Sequence, residues 1–302
     1  MSKKKLSWRK YTLAAVIIFL CVLAGLIYKA VTWTPIDSES KKASEAIIRQ
    51  SVAKQLNKDP NNLTDNDFSG IRYFSIQNKT LGDLNLFRKF TSLRRLDLTS
   101  IRKSETIIPK WKLILERLGI LDMRDRRFLD LSPLGELSKL TELDMLGSQV
   151  KNIEPLASLT NLRALGLGST KVANLEPIKN LKKMELLDLL ETQVSDLKPL
   201  QALTNLYLLI LEHTQVSDIE PIKDLINLKT LYLGGTNISN FEPLKNLINL
   251  KELRLNDTGI SNLEPLKELK NLEKLNISRC PNITDQQVED LQKAMPQLEI
   301  QR

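Results

Sequence analysis

The chain has 302 residues, 42% of them hydrophobic and 26% charged, with a formal net charge of +8. Six of those charges (Lys3, Lys4, Lys5, Arg9, Lys10 and Lys29) precede the first acidic residue, Asp37, and the remainder is close to balanced. A nucleic-acid binder needs a clustered basic face, and none stands beyond the leader, so nucleic acid is excluded as a partner.

Residues 1–10 form a basic tail. Residues 11–28 (YTLAAVIIFLCVLAGLIY) run uncharged, about 27 Å as a helix, close to the hydrocarbon thickness of a bilayer. Lys10 and Lys29 can snorkel from the ends, and Trp8, Tyr11, Tyr28 and Trp33 suit the interfaces. We therefore expect a transmembrane signal-anchor over 11–30, with the N-terminus cytoplasmic and the rest exported. A cleaved signal peptide is the rival reading, with Val22-Leu23-Ala24 as the site. Lipidation is disfavoured, because no small residue stands before Cys21.

Residues 31–42 read as a tether. Ala43, Ala46, Ile47, Ala53 and Leu56 recur at helical spacing up to Asp59-Pro60, and Thr64 with Asp67 opens another turn. Residues 43–67 are thus expected to be a helical N-terminal cap. A first coil begins at Phe68, with Phe68, Ile71, Phe74 and Ile76 in apolar columns. A second, over about 90–114, carries three extra residues that must leave as a loop; Trp111 within it is expected to cover the core.

From 115 to 268 one 22-residue unit repeats seven times without a gap, as in LTNLYLLILEHTQVSDIEPIKD (203–224) and LINLKTLYLGGTNISNFEPLKN (225–246). Apolar residues fall at unit positions 1, 4, 7, 9, 14, 17 and 20, with Pro at 19. Leu209 and Leu211 alternate with Leu208, Ile210 and Glu212, the period of a short strand with one buried face. Pro221 forbids an ordinary helix on the return leg, which must be extended or 3₁₀. One coil cannot bury its own leucines, whereas a stack buries them all. Ten stacked strands, about 4.8 Å apart, make a parallel sheet.

This pattern resembles the leucine-rich repeat, and within it the 22-residue class of bacterial internalin-like proteins. The resemblance implies an α/β fold, a leucine-rich-repeat solenoid of about ten units over 68–290, with a C-terminal cap at 291–302. At position 12 the family has Asn or Cys; here Thr170, Thr192, Thr214, Thr236 and Thr258 depart from it, and Cys280 does not. These are read as hydrogen-bonding residues inside the coil, not as a site. In the last unit Thr284 with Gln287 forms a capping box, and Leu298 with Ile300 suits a closing strand. No LPxTG-like sorting signal follows, a departure from internalin-like surface proteins that argues against attachment to a Gram-positive wall.

Chemistry is scarce. His213 is the only histidine, and there is no HExxH, GxSxG, GxxxxGK[ST] or GxGxxG, so no metal, no cofactor and no enzymatic activity are expected. Cys21 and Cys280 are not expected to pair. What the repeat offers is a face: positions 6, 8, 10 and 11 point away from the core. Leu186, Leu190, Leu208, Ile210 and Tyr232 form an aliphatic centre there, ringed by charges. The expected partner-binding residues are Leu186, Asp188, Leu190, Leu208, Ile210, Glu212, His213, Tyr232 and Arg254. Gly166, Gly168, Gly234 and Gly235 are read as room for a bulky partner side chain. The function expected is capture of a protein partner outside the cytoplasm, as adhesin, scaffold or regulatory subunit. The alternatives are a passive structural element of the envelope and, more remotely, an enzyme.

Overall fold

The computed structural model describes residues 38–81, 83–99, 102–103 and 129–302. The expected tail and anchor (1–30), Trp111 and the strand expected around Ile120 lie outside the described residues. Among those described, no helix is long and apolar enough to cross a membrane.

Helix α1 (Ser38–Leu56) begins inside the stretch read as a tether, and its face of Ile48, Val52 and Ala53 is buried in the common core. Its Gln55 Nε2 donates to the carbonyl of Tyr73 at 3.0 Å, covering a backbone acceptor on the first strand. Helix α2 (Asp65–Ser69) begins at an extended Thr64, where the chain turns into the helix through a capping box. Asp67 closes that turn, accepting from the Thr64 N–H at 2.8 Å and from Lys58 Nζ at 2.5 Å.

The strands are three residues long and parallel. Ten of them, β1 (Tyr73–Ser75), β3 (Arg95–Asp97), β5 (Glu142–Asp144), β6 (Ala164–Gly166), β7 (Leu186–Asp188), β8 (Leu208–Ile210), β9 (Thr230–Tyr232), β10 (Glu252–Arg254), β11 (Lys274–Asn276) and β12 (Glu299–Gln301), form one sheet in that order. A minor pair, β2 (Thr80–Leu81) with β4 (Arg102–Lys103), lies beside the first two coils. From β5 to β11 each partner stands 22 residues along, as in Leu187↔Leu209↔Leu231. Leucines at positions 7 and 9, such as Leu209 and Leu211, are fully buried. The return legs are 3₁₀ turns with Pro in the first turn, for example Glu220–Ile222 and Glu264–Glu268.

One expectation fails. Arg95 pairs directly with Glu142, and Leu96 with Leu143, so β3 and β5 are neighbours where a further strand was expected between them. The coil begun by Phe90 instead returns through the buried Leu131 and Leu134. Residues 129–136 of the unit expected at 115–136 therefore serve as the return leg of the coil begun by Phe90, and β3 and β5 stand 47 residues apart rather than 22. The tenth strand is supplied from the other end, where Ile300 pairs with Leu275. Before it comes helix α3 (Asp285–Ala294), opened by the Thr284–Gln287 capping box and starting inside the last unit rather than at 291.

Polar side chains satisfy buried backbone groups, both within a coil and between neighbouring coils. Thr170, Thr192, Thr214, Thr236 and Thr258 are buried, and each Oγ1 donates to the carbonyl three residues back at 2.6–2.7 Å. Asn161, Asn205, Asn227, Asn249 and Asn271, at position 3, each donate to a carbonyl of the preceding coil at 2.7–2.9 Å. Asn or Asp at position 16 accepts the N–H two residues on, at 2.9–3.0 Å, and so starts each 3₁₀ turn from Asn152 to Asn262. In the first coils, aromatic rings replace leucines, with Phe74 and Phe90 at 5.1 Å between centroids.

Two stability predictions follow from these contacts. Thr214→Val keeps the volume but deletes a buried donor, and should cost about 1 kcal/mol in denaturant unfolding. The Asp67 carboxyl is held down at about 2, first by Lys58 and then by the Thr64 N–H. Its stabilisation is present above the ordinary value of 3.8 and lost as pH falls through about 2. Asp67→Asn should lower the thermal midpoint at pH 7, and the gap from the wild type should close on acidification through that window.

Candidate functional site on the concave sheet

The strand period decides which side chains leave the core. Leu187, Leu189, Leu209, Leu211, Leu231 and Leu233 are all fully buried, while Leu186, Asp188, Leu190, Leu208, Ile210 and Tyr232 are half-buried on the opposite face. The register sets Leu186, Leu208 and Thr230 in one row across the strands, and Asp188, Ile210 and Tyr232 in another. Arg254 follows Tyr232 on β10. The aliphatic members are thus contiguous across β7 to β9. They are half-buried because strands about 4.8 Å apart leave each side chain covered on two flanks.

Charge is built in around them. Asp188 Oδ1 accepts the Leu190 N–H at 2.9 Å, tightening the turn out of β7. Burial pushes its carboxyl up, with the nearby Asp144 adding to the rise. Burial likewise raises Glu212, against the pull of Arg254 and His213. Tyr232 Oη donates to Glu252 Oε1 at 2.7 Å, and burial together with that bond pushes the phenol up to about 12. Arg254 lies over the Tyr232 ring, 3.9 Å from its centroid, with Nη2 3.3 Å from Glu252 Oε1. Glu252 thus ties Tyr232 and Arg254 together, and sequence reasoning did not single it out. Its position 6 on the strand after Tyr232 was the available signal.

Glu191 and His213 stand just past this group, both exposed and both at position 11. That position is left-handed in coil after coil: Ser169, Glu191, His213, Asp257 and Arg279 have φ of 53–57°, and Gly147 and Gly235 have 67° and 66°. The conformation turns each N–H toward the next coil, as with His213 to the Gly234 carbonyl at 2.8 Å and Glu191 to Glu212 at 2.9 Å. A left-handed residue with a side chain costs roughly 1–2 kcal/mol, and the ladder of inter-coil bonds offsets it.

The glycines do not leave room for a partner. A Cβ on Gly168 would meet Leu146 Cδ1 at 2.6 Å, on Gly166 the Asp144 Oδ1 at 2.7 Å, and on Gly234 the Asn256 Oδ1 at 2.7 Å. The preceding or following coil already fills the space. Gly235 faces the His213 ring in the same way, at 2.3 Å. The most exposed large aliphatics also lie elsewhere: Ile226 and Ile248, 49% and 51% exposed, sit at position 2 before the strands. Among the described residues no three His, Cys, Asp or Glu side chains gather so as to hold a metal ion.

Residues 248–293 match the family model for leucine-rich repeats, in two copies. Together with the parallel sheet, this decides the fold. The repeats build a leucine-rich-repeat solenoid. No curated protein matches the chain in sequence. Among solved structures it is similar to an internalin of Listeria monocytogenes, at 25% identity and a TM-score of 0.71 over 85% of this chain and 68% of that one. Internalin C2 of the same organism aligns at 28% identity and 0.66, over 77% and 92%. A leucine-rich-repeat protein of Leptospira interrogans aligns at 20% identity and 0.61, over 79% and 62%, a likeness of fold alone.

Gly235→Ala separates the two demands on position 11. The left-handed backbone should cost about 1–2 kcal/mol on unfolding. The clash with His213 adds a part that should disappear in the His213→Ala background, where the backbone part remains.

Proposed function

We propose that this solenoid captures a protein partner on its concave sheet, outside the cytoplasm, while an anchor at residues 11–30 holds it to the membrane. The carrying observation is the aliphatic tract of Leu186, Leu208 and Ile210 on adjacent strands, bordered by Leu190 and Tyr232. Side chains at positions 6, 8 and 10 are not needed by the core, and large aliphatics facing outward from a sheet, ringed by charge, are the composition of a binding surface. Leucine-rich-repeat solenoids supply this surface without catalytic groups, and similarity to internalins favours an interaction role over an enzymatic one. The leader favours export: its basic residues precede the apolar run, the arrangement that keeps the N-terminus inside. Adhesin, scaffold and regulatory subunit are three forms of the same reading.

The passive structural alternative predicts silence where this one predicts loss. Leu208→Asp with Ile210→Asp, in the full chain at the cell envelope, should abolish photo-crosslinked protein adducts formed from Tyr232, with the circular dichroism spectrum unchanged. Adducts undiminished in a folded double variant would remove the concave sheet as the binding surface.

A further inference from the structure

The concave face has a charge pattern as regular as its apolar one. Across β5 to β9, positions 6, 8, 10 and 11 carry Glu142, Asp144, Asp188, Glu191 and Glu212, together with His213, and no lysine or arginine. Glu142 pairs with Arg95 at the N-terminal margin, and Glu191 accepts from Ser169 Oγ. Asp188 and Glu212 make no ion pair among the described residues, though each lies at the edge of the Leu208–Ile210 tract. They also repel one another, and Glu252 repels Glu212 from the other side.

A ligand that covers Leu208 and Ile210 must cover these two carboxylates as well. A purely aliphatic or an acidic ligand would bury both further, leaving Asp188 with no cation acting on it and Glu212 with only the pull of Arg254 and His213. A cation between them would relieve their mutual repulsion. Much of their desolvation is already present in the free protein, so the added cost of pairing is small. Arg254 draws on Glu212 from one side but is stacked on Tyr232 and paired with Glu252, and no cation acts on Asp188.

We propose that the segment entering this surface is a short extended peptide in which Lys or Arg alternates with aliphatic residues. Its cation sits between Asp188 and Glu212, and its aliphatic side chains rest on Leu208 and Ile210. The inference rests on the partner-binding reading above and narrows it to a peptide chemistry. From β5 to β10 the sheet spans about 24 Å, the length of about seven extended residues.

The test uses the full chain in nanodiscs of uncharged lipid and three fluorescent octapeptides, Leu/Lys, Leu/Glu and Ser/Lys, each of alternating residues. Anisotropy should show the Leu/Lys peptide bound about tenfold or more tighter than either other, a difference of about 1.4 kcal/mol. That binding should weaken with added salt. Asp188→Asn with Glu212→Gln should lose about the same factor for Leu/Lys, so that its advantage over Leu/Glu disappears. Asn keeps an acceptor for the Leu190 N–H and removes a carboxylate whose raised value disfavours the folded state once pH exceeds the ordinary 3.8. The thermal midpoint of the double variant at pH 7 should therefore not fall, which separates lost binding from lost folding. Equal binding of Leu/Glu and Leu/Lys, binding unchanged in the amide variant, or no binding of any peptide would overturn the proposal. If adduct formation still depends on Leu208 and Ile210 in those cases, the partner-binding reading stands and only the peptide chemistry is wrong.

Discussion

Everything in this molecule depends on coils meeting at the spacing of hydrogen-bonded strands. A 22-residue coil has its leucines on the inside of a loop too small to bury them, so its core exists only between neighbours. Backbone groups face the same demand. Each N–H and C=O on the sheet side must find its partner one coil away, and positions 2, 11 and 12 extend that demand around the bend. The asparagines at position 3 answer it with side chains, the left-handed residues at position 11 answer it by rotating the peptide, and the threonines at position 12 hold the bend within each coil. Stability is therefore shared between adjacent coils and is not owned by any one of them.

The same demand explains which parts of the fold could be read from the sequence. The columns at positions 7 and 9 were legible because their period is two and their burial complete. The 3₁₀ return legs were legible because proline leaves few alternatives. The strand expected between β3 and β5 rested on a partial pattern. That stretch keeps the leucine columns but puts Arg126 at position 12, where each coil from residue 137 onward buries Ser, Thr or Cys. Hydrophobic phase alone accepts such a unit, and the polar position rejects it. The glycines were misjudged for a related reason. A missing side chain reads as open space in one dimension, but across a strand spacing of about 4.8 Å the neighbour's Asp144, Leu146, His213 or Asn256 occupies it.

On the concave face, the orientation of Leu186, Leu208, Ile210 and Tyr232 came directly from the strand period. Their environment did not. The Glu252 carboxylate that joins Tyr232 to Arg254 comes from the strand after the tyrosine; the register places it at position 6 but does not tell which neighbours its carboxylate will reach. The carboxylates also have two roles that a sequence cannot separate. Asp188 holds the Leu190 N–H, which is a folding task, and it carries a half-buried charge, which the fold does not need. Asn276 performs the first task on β11 without the second, accepting the Ser278 N–H at 2.9 Å.

That comparison within the chain gives the strongest reason to look for function on this face. Position 7 is leucine in each strand from β5 to β11, because the core admits little else. Position 8 passes through Asp144, Gly166, Asp188, Ile210, Tyr232, Arg254 and Asn276 along the same strands. A passive stack has no use for this divergence, since one polar residue repeated along the column would be cheaper in desolvation and repulsion. Between β7 and β10 the column instead combines an under-paired acid, a large aliphatic and a stacked Tyr–Arg pair. Such a sequence of side chains lowers the stability of the isolated solenoid relative to a uniform polar column. In the proposed reading, that cost is recovered when a partner covers the aliphatics and brings a positive charge to Asp188.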